Sequence, residues 1–268
     1  MNTTTYCHRI GGPLGSMLLL AAGDHLTVID FDDSRNAPLH SAAWRDGGQH
    51  SLLRAAAAQL AEYFAGERAA FDLCCDTALI AAALGPLAQD HPGLRVPGAF
   101  DGFELAMRAV VGQQITVRGA RTLLGRMVQA FADAVHPSAT DGPAHLFPPA
   151  SRIATCSVVE LTRLGIIGAR ARTIVALAEA VVGGELELQP GAEVDATVRR
   201  LQALRGIGTW TAQYIAMRAL GWPDAFLAND LVVLKALGET RPARALVRSE
   251  AWRPWRAYAV LHLWRNAT

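Results

Sequence analysis

The sequence predicts an α+β protein: a small N-terminal domain of mixed strands and helices, then a larger region that is mostly α-helical. Three observations predict it. Two short apolar runs, residues 17–22 and 26–31, flank Gly23-Asp24-His25 and read as a β-hairpin. From Phe100 onward apolar residues recur at helical spacing with few interruptions. Between these parts, His91-Pro92-Gly93 leads through Pro97-Gly98 in a turn-rich connector, the clearest boundary that composition marks.

The elements follow in order. After the hairpin, the Ala- and Leu-rich stretch 51–64 has helical periodicity and ends just before Gly66, and a second helix is expected over 76–84. Helices are expected over 103–111 and 116–134, around Gly112, and the proline-rich stretch 136–149 reads as a loop. Further helices are expected over 157–164, 169–182, 195–204, 210–220, 230–237, 242–248 and 252–264. Short connectors between so many helices predict a bundle. There is no internal repeat.

Composition narrows the function classes. The 268 residues carry a formal charge of only +1, so no strong overall nucleic-acid signature is present. The distribution is uneven, however. Residues 1–98 hold 6 Arg against 10 acids, residues 99–190 hold 8 of each, and residues 191–268 hold 11 Arg/Lys against 6 acids. The basic surplus therefore lies in the last third, where phosphate contacts or merely a solvated basic face would place it. Lys235 is the only lysine. Cys7, Cys74, Cys75 and Cys156 form no C-x-x-C pair and no zinc spacing, which predicts reduced thiols in a cytoplasmic protein. The run 17–22 is too short to span a bilayer, so no membrane role is expected.

One segment carries more chemistry than the rest. Residues 201–212 have the pattern L-x-x-L-x-G-I-G-x-x-T-A, from Leu201 and Leu204 through Gly206-Ile207-Gly208 to Thr211-Ala212. A helix ends, two glycines separated by one apolar residue make a tight turn, and a second helix begins. Glycine permits φ > 0 and close backbone approach. The first N–H groups of the second helix are then unpaired and positively polarised, suited to a phosphate. Ile207 is expected to plug the turn into the core. An ordinary helical hairpin with a glycine cap is the plainer reading of a lone G-x-G; the full pattern favours DNA contact through a helix-hairpin-helix spanning 199–220, with Arg205, Gly206, Gly208 and Thr209 at the DNA.

Further segments match in the same order: Phe71-Asp72-Leu73, Gly93-Leu94-Arg95-Val96-Pro97-Gly98, Arg108-Ala109-Val110-Val111-Gly112-Gln113, Phe226-Leu227-Ala228-Asn229-Asp230, and Trp252-Arg253-Pro254-Trp255-Arg256-Ala257-Tyr258-Ala259. Together with the hairpin, residues 71–264 resemble the 3-methyladenine DNA glycosylase II family of the helix-hairpin-helix superfamily. The resemblance implies a helical glycosylase region over 73–268, and with it a monomer acting on double-stranded DNA with alkylated bases.

The family's catalytic aspartate falls on Asp230, 22 residues after Gly208. One ionised carboxylate beside the anomeric carbon would stabilise an oxocarbenium-like transition state or orient the attacking water. Asp230 also reads as the cap of the helix that starts there, and the two roles are compatible. Trp210, Tyr214 and Trp264 fall where the family builds an aromatic pocket for a flipped-out base, against the plainer reading of core aromatics at helical spacing. A cationic alkylated purine would stack favourably on electron-rich rings. In bifunctional relatives a Schiff-base lysine stands at the position of Trp210, so the resemblance implies a monofunctional enzyme without lyase activity. The four-cysteine iron–sulfur loop of other relatives is missing, because no cysteine follows Cys156.

Gln113 and Gln114 fall where the family inserts a side chain into the gap left by the flipped base. Leucine is usual at the position of Gln114, so Ile115 is the alternative wedge. Asn229 departs from the acid often found there. No cofactor is expected to be required; the resemblance implies a sodium or potassium ion held by the carbonyls of Gln202, Leu204 and Ile207.

The N-terminal part reads differently. Pro13-Leu14-Gly15 and the stretch from Gln59-Leu60-Ala61 to Gly66-Glu67-Arg68 resemble the N-terminal domain of alkylguanine-DNA alkyltransferases, which places a boundary after residue 72 and suggests a fused domain of other origin. Cys7-His8-Arg9 echoes the alkyl-acceptor motif of those proteins, but near the wrong end of the chain and without the preceding proline, so coincidence is the better reading. The leading expectation is a monofunctional glycosylase that hydrolyses the N-glycosidic bond of 3-methyladenine and 7-methylguanine type bases in base excision repair. A non-catalytic helix-hairpin-helix DNA-binding protein is the alternative, and an alkyltransferase-like protein the third.

Overall fold

Among the described residues four strands form one sheet in the order β3-β2-β1-β4: β1 is Thr5–Gly12, β2 Gly15–Ala22, β3 His25–Phe31 and β4 Arg45–Asp46. The computed structural model describes residues 5–12, 15–22, 25–31, 45–46, 77–90, 94, 96–99, 101–131 and 147–267. The helix expected over 51–64 and most of the loop expected over 136–149 lie outside them. The chain divides into two compact units, Met1–Arg68 with Ala132–Pro148, and Ala69–Phe131 with Pro149–Thr268.

The expected hairpin corresponds to β2 and β3, antiparallel with Leu19 opposite Ile29 and an irregularity between Leu20 and Ala21. The sequence reading missed β1. Its residues, TYCHRIGG, hold no apolar run, yet it pairs with β2 along its whole length, from Thr5 opposite Ala22 to Gly12 opposite Gly15. Cys7 stands within this strand, opposite Leu20. β4 runs parallel to β1.

The larger unit is helical. α1 is Thr77–Leu84, followed by a 3-10 turn over Gly85–Ala88. α2 is Gly102–Val111, α3 Val117–Phe131, α4 Ala150–Ala154, α5 Val158–Arg163 and α6 Gly168–Val182. α7 is Val194–Ala203, α8 Thr209–Arg218, α9 Leu231–Ala236, α10 Pro242–Ser249 and α11 Arg256–Asn266. Helix identities follow the 3.6-residue period. α4 was not anticipated, because five residues after Pro149 are too few to display a period. The single helix expected over 252–264 is instead a 3-10 turn, Glu250–Trp252, and then α11. Pro254 lies between them and cannot supply a helical N–H.

The core that positions the site gathers around α8, α9 and α11. Met217, Leu227, Val233, Tyr258 and Val260 are fully buried in one cluster. One buried ion pair holds the segment before Asp230 against the start of α11. Arg256 donates Nε to Asp224 Oδ1 at 2.6 Å and Nη2 to Oδ2 at 2.7 Å, and Ala257 N donates to Pro223 O at 2.9 Å. A buried pair of this kind is expensive to break, about 3–5 kcal/mol when one partner is removed.

Candidate active site

The hairpin forms because Gly206 does what no other residue could do there. Its φ is +99°, and a Cβ on it would lie 2.2 Å from Thr173 Oγ1. That hydroxyl, buried in α6, donates to Arg205 O at 2.7 Å. Ile207 is 4% exposed and plugs the turn into the core as expected. Gly208 differs from the expectation. Its φ is −87°, an ordinary extended value, and a Cβ would meet nothing within 4 Å. Glycine is not required there by the backbone. Its consequence is at the N-terminus of α8, where Gly208 is the N-cap and supplies no side-chain cap.

Asp230 is the N-cap of α9. Its Oδ1 accepts from Val232 N and Val233 N, each at 3.0 Å, the usual way such a residue satisfies the first-turn donors. The same Oδ1 accepts Trp264 Nε1 at 3.0 Å, and Oδ2 accepts Trp210 Nε1 at 2.9 Å. All four partners are donors, and an ionised carboxylate, being acceptor-only, satisfies all of them. Among the described residues Oδ2 has only Trp210, so it keeps the unused lone pair.

A cleft of about 960 Å³ opens beside this carboxylate. Gly206, Gly208, Trp210, Tyr214, Asn229 and Asp230 line it together with Gln113, Gln114 and Ile115. Trp210 and Tyr214 are stacked, with ring centroids 5.1 Å apart and planes 7° from parallel. Trp264 reaches Asp230 from α11 but is not among the lining residues. Arg205, Thr209, Gln202, Leu204 and Ile207 do not line the cleft either; they belong to the hairpin beside it.

The two glutamines separate. Gln114 is exposed and has φ +55°, a left-handed conformation that is uncommon for a residue with a side chain. Gln113 is turned inward: Nε2 donates to Gly206 O and to Thr211 Oγ1, both at 3.0 Å. Ile115 is 37% exposed next to Gln114.

Sequence reasoning did not find three contributors. Arg218 stands one turn beyond Tyr214, 5.8 Å from its ring centroid, donates to Tyr214 Oη at 3.3 Å and also to Pro97 O. Arg170 donates Nη2 to Gln113 O at 2.5 Å, and Thr173 braces the hairpin. The spacing Trp210, Tyr214, Arg218 at i, i+4, i+8 was the one available signal. No spacing could have revealed the contacts from α6.

Of the three carbonyls that the family resemblance assigns to a monovalent cation, that of Leu204 accepts the Ile207 N–H at 3.0 Å. The intervening carbonyls, of Arg205 and Gly206, are bonded to Thr173 and Gln113. A neutral oxygen set without a carboxylate suits a singly charged hard ion, and a carbonyl has a second lone pair to offer. Among the described residues no cluster of three or more His, Cys, Asp and Glu could hold a metal, and no helix is long and apolar enough to cross a membrane.

Comparison with known proteins supplies a family. The model of the AlkA N-terminal domain matches residues 46–101. That span crosses residue 72 and takes in the stretch 59–68 that resembles alkyltransferases. DNA-3-methyladenine glycosylase 2 of Escherichia coli is 36% identical over 195 residues, 72% of this chain and 68% of the relative. A probable bifunctional transcriptional activator/DNA repair enzyme AlkA of Mycobacterium tuberculosis is 40% identical over 207 residues, 74% of this chain and 41% of the relative. Among solved structures, the 3-methyladenine DNA-glycosylase from Archaeoglobus fulgidus superposes with a TM-score of 0.62 over 98% of this chain and 87% of its own, at 20% identity.

Proposed function

This chain belongs to the DNA-3-methyladenine glycosylase family, and from that premise we propose that it is a monofunctional DNA glycosylase excising alkylated purines, of the 3-methyladenine and 7-methylguanine type, from double-stranded DNA. The observation that carries this reading is Asp230, held at the cleft by two indole N–H groups while Oδ2 keeps a free lone pair.

A purine alkylated on a ring nitrogen is cationic, so when its bond to C1′ breaks the electron pair neutralises the leaving base and no strong general acid is needed. Positive charge develops on the sugar, and an ionised carboxylate beside C1′ stabilises it. Water adds its oxygen to C1′, and its proton leaves to Asp230 or to solvent. The stacked pair Trp210 and Tyr214 offers the flipped base an electron-rich wall. The uncapped N-terminus of α8 would accept a DNA phosphate, and the exposed Gln114 or Ile115 would fill the gap in the stack. A monovalent cation on the hairpin carbonyls would add positive charge for the same phosphate.

Lyase chemistry needs an amine at the anomeric carbon. Trp210 has none, and the single lysine, Lys235, is exposed in the last turn of α9 and does not line the cleft. The product is therefore an abasic site in an uncut strand.

Incubating the purified protein with methylated duplex DNA tests the reading. Free methylated base is expected, without strand cleavage, and Asp230→Asn is expected to bind DNA yet release none. Comparable release by the variant would remove Asp230 from its role. DNA binding without any release by the wild type would favour the non-catalytic alternative.

A further inference from the structure

The Gln113 amide joins two loops that line the cleft, and helix α6 braces the joint from behind. Gly206 O is an acceptor only, so the group facing it at 3.0 Å must be the NH2 of Gln113, whose second hydrogen reaches Thr211 Oγ1 at 3.0 Å. Both amide donors are thus spent within the protein. The main-chain oxygen of the same residue accepts Arg170 Nη2 from α6. One turn further along α6, Thr173 Oγ1 donates to Arg205 O at 2.7 Å and sits against the Cα face of Gly206. The exposed Gln114, in its left-handed conformation, is the very next residue to this joint.

We propose that Gln113 is a positioning residue: its amide locks the Gln114 loop to the glycine hairpin, so that the group pushing into the base stack and the helix end gripping the backbone act as one rigid clamp. The inference rests on the base-excision reading above. Its physical basis is distance. Extruding a nucleotide requires pushing the base at one point while holding the strand at another, and the work is lost if the two points can separate. Phosphate affinity, which is non-specific and needs only the hairpin, does not depend on the joint. Flipping and excision do.

The test compares wild type with Gln113→Ala and Gln113→Glu on duplexes carrying either 7-methylguanine or 2-aminopurine, whose fluorescence rises when it is unstacked. Glutamate fills the space but has no hydrogen for Gly206 O, so both variants should behave alike. Single-turnover excision at saturating enzyme is expected to fall about tenfold or more, and the 2-aminopurine signal to fall with it. Affinity for undamaged duplex is expected to stay within about threefold of wild type. Thr211→Val removes one of the two acceptors without touching Gln113 and should give a smaller loss in the same direction, much of it recovered in Thr211→Ser. Wild-type excision by Gln113→Ala would overturn the proposal, as would a loss of duplex affinity as large as the loss of rate. If the wild type unstacks 2-aminopurine but releases no base, the glycosylase reading fails while the fluorescence still judges the clamp. If it does neither, both fail.

Discussion

Two helix N-termini meet the same cleft and are finished in opposite ways. At α8 the N-cap is Gly208, with no side chain to occupy the first-turn N–H groups. At α9 the N-cap is Asp230, whose Oδ1 takes two of them at 3.0 Å each. An open helix end holds about half a positive charge and is available to an outside anion. A closed one spends its donors on its own carboxylate and fixes that carboxylate in place. The difference teaches that one structural device serves two purposes here: α8 leaves its donors open to an outside anion, and α9 holds a carboxylate in place, which the proposed function uses for DNA phosphate and for the reacting sugar. The indole N–H groups of Trp210 and Trp264 fix the carboxylate further, one on each oxygen, and leave a lone pair of Oδ2 facing the cleft.

The largest expected effect comes from separating Asp230's two duties. Asparagine also caps helices but would turn its amide nitrogen toward the Trp210 N–H, so Asp230→Asn should lose about 1 kcal/mol of stability while base release falls by about 1000-fold or more. Asp230→Ala should lose release to the same degree and about 1 kcal/mol of stability in addition, read by thermal or denaturant unfolding. Release by the Asn variant within about tenfold of wild type would break the distinction.

Making the open end resemble the closed one comes next. Gly208→Asp meets no steric obstacle, since a Cβ there touches nothing within 4 Å. A carboxylate capping α8 should weaken duplex affinity about tenfold or more and flatten its salt dependence, measured by anisotropy titration at several salt concentrations. Unchanged affinity would show that phosphate is held elsewhere.

Trp210→Phe keeps a ring against Tyr214 but removes the donor to Oδ2. One hydrogen bond to a charged group is worth about 1.5–3 kcal/mol, so a rate loss of roughly ten- to a hundredfold is expected at unchanged affinity. A larger fall in affinity than in rate would mean that the indole serves the base more than the carboxylate.

The smallest effect belongs to a helix end outside the cleft. α5 begins with a capping box: Ser157 Oγ accepts from Glu160 N, and Ser157 N donates to Glu160 Oε2 at 2.8 Å. Ser157→Ala should cost about 1 kcal/mol of stability and leave excision untouched. The hydrogen bonds from Ser157 hold the Glu160 carboxyl below its usual 4.5. A depressed carboxylate stabilises the fold above its unfolded pKa, and this contribution is lost as pH falls through the depressed folded value. The difference between Ser157→Ala and wild type should therefore be full at neutral pH and shrink in acid.

Much of the helical region was legible because its signals are local. α8 was expected from the period of Trp210 to Leu220, its start from Gly206-Ile207-Gly208, and the α9 cap from an aspartate before an apolar run. β1 was not legible, since a strand without an apolar run shows itself only through its partner. The hydrogen bond of Trp264 to Asp230, 34 residues apart, was not legible, because no local pattern links the two. The inward turn of Gln113 was not foreseen at all, because its partners Gly206 and Thr211 lie 93 and 98 residues away.

By itself the sequence determined the ingredients: a glycine turn opening a helix, one carboxylate at the head of the next, aromatic residues at a four-residue spacing and no lysine beside them. These are properties of neighbours along the chain, governed by backbone conformation and helical period. Only the tertiary structure decided how those ingredients face one another. It placed both indoles on Asp230, spent the Gln113 amide on the hairpin, left Gln114 exposed, and set Thr173 so close to Gly206 that no side chain fits. Such contacts are settled by packing, where direction and distance between remote segments matter and spacing along the chain does not.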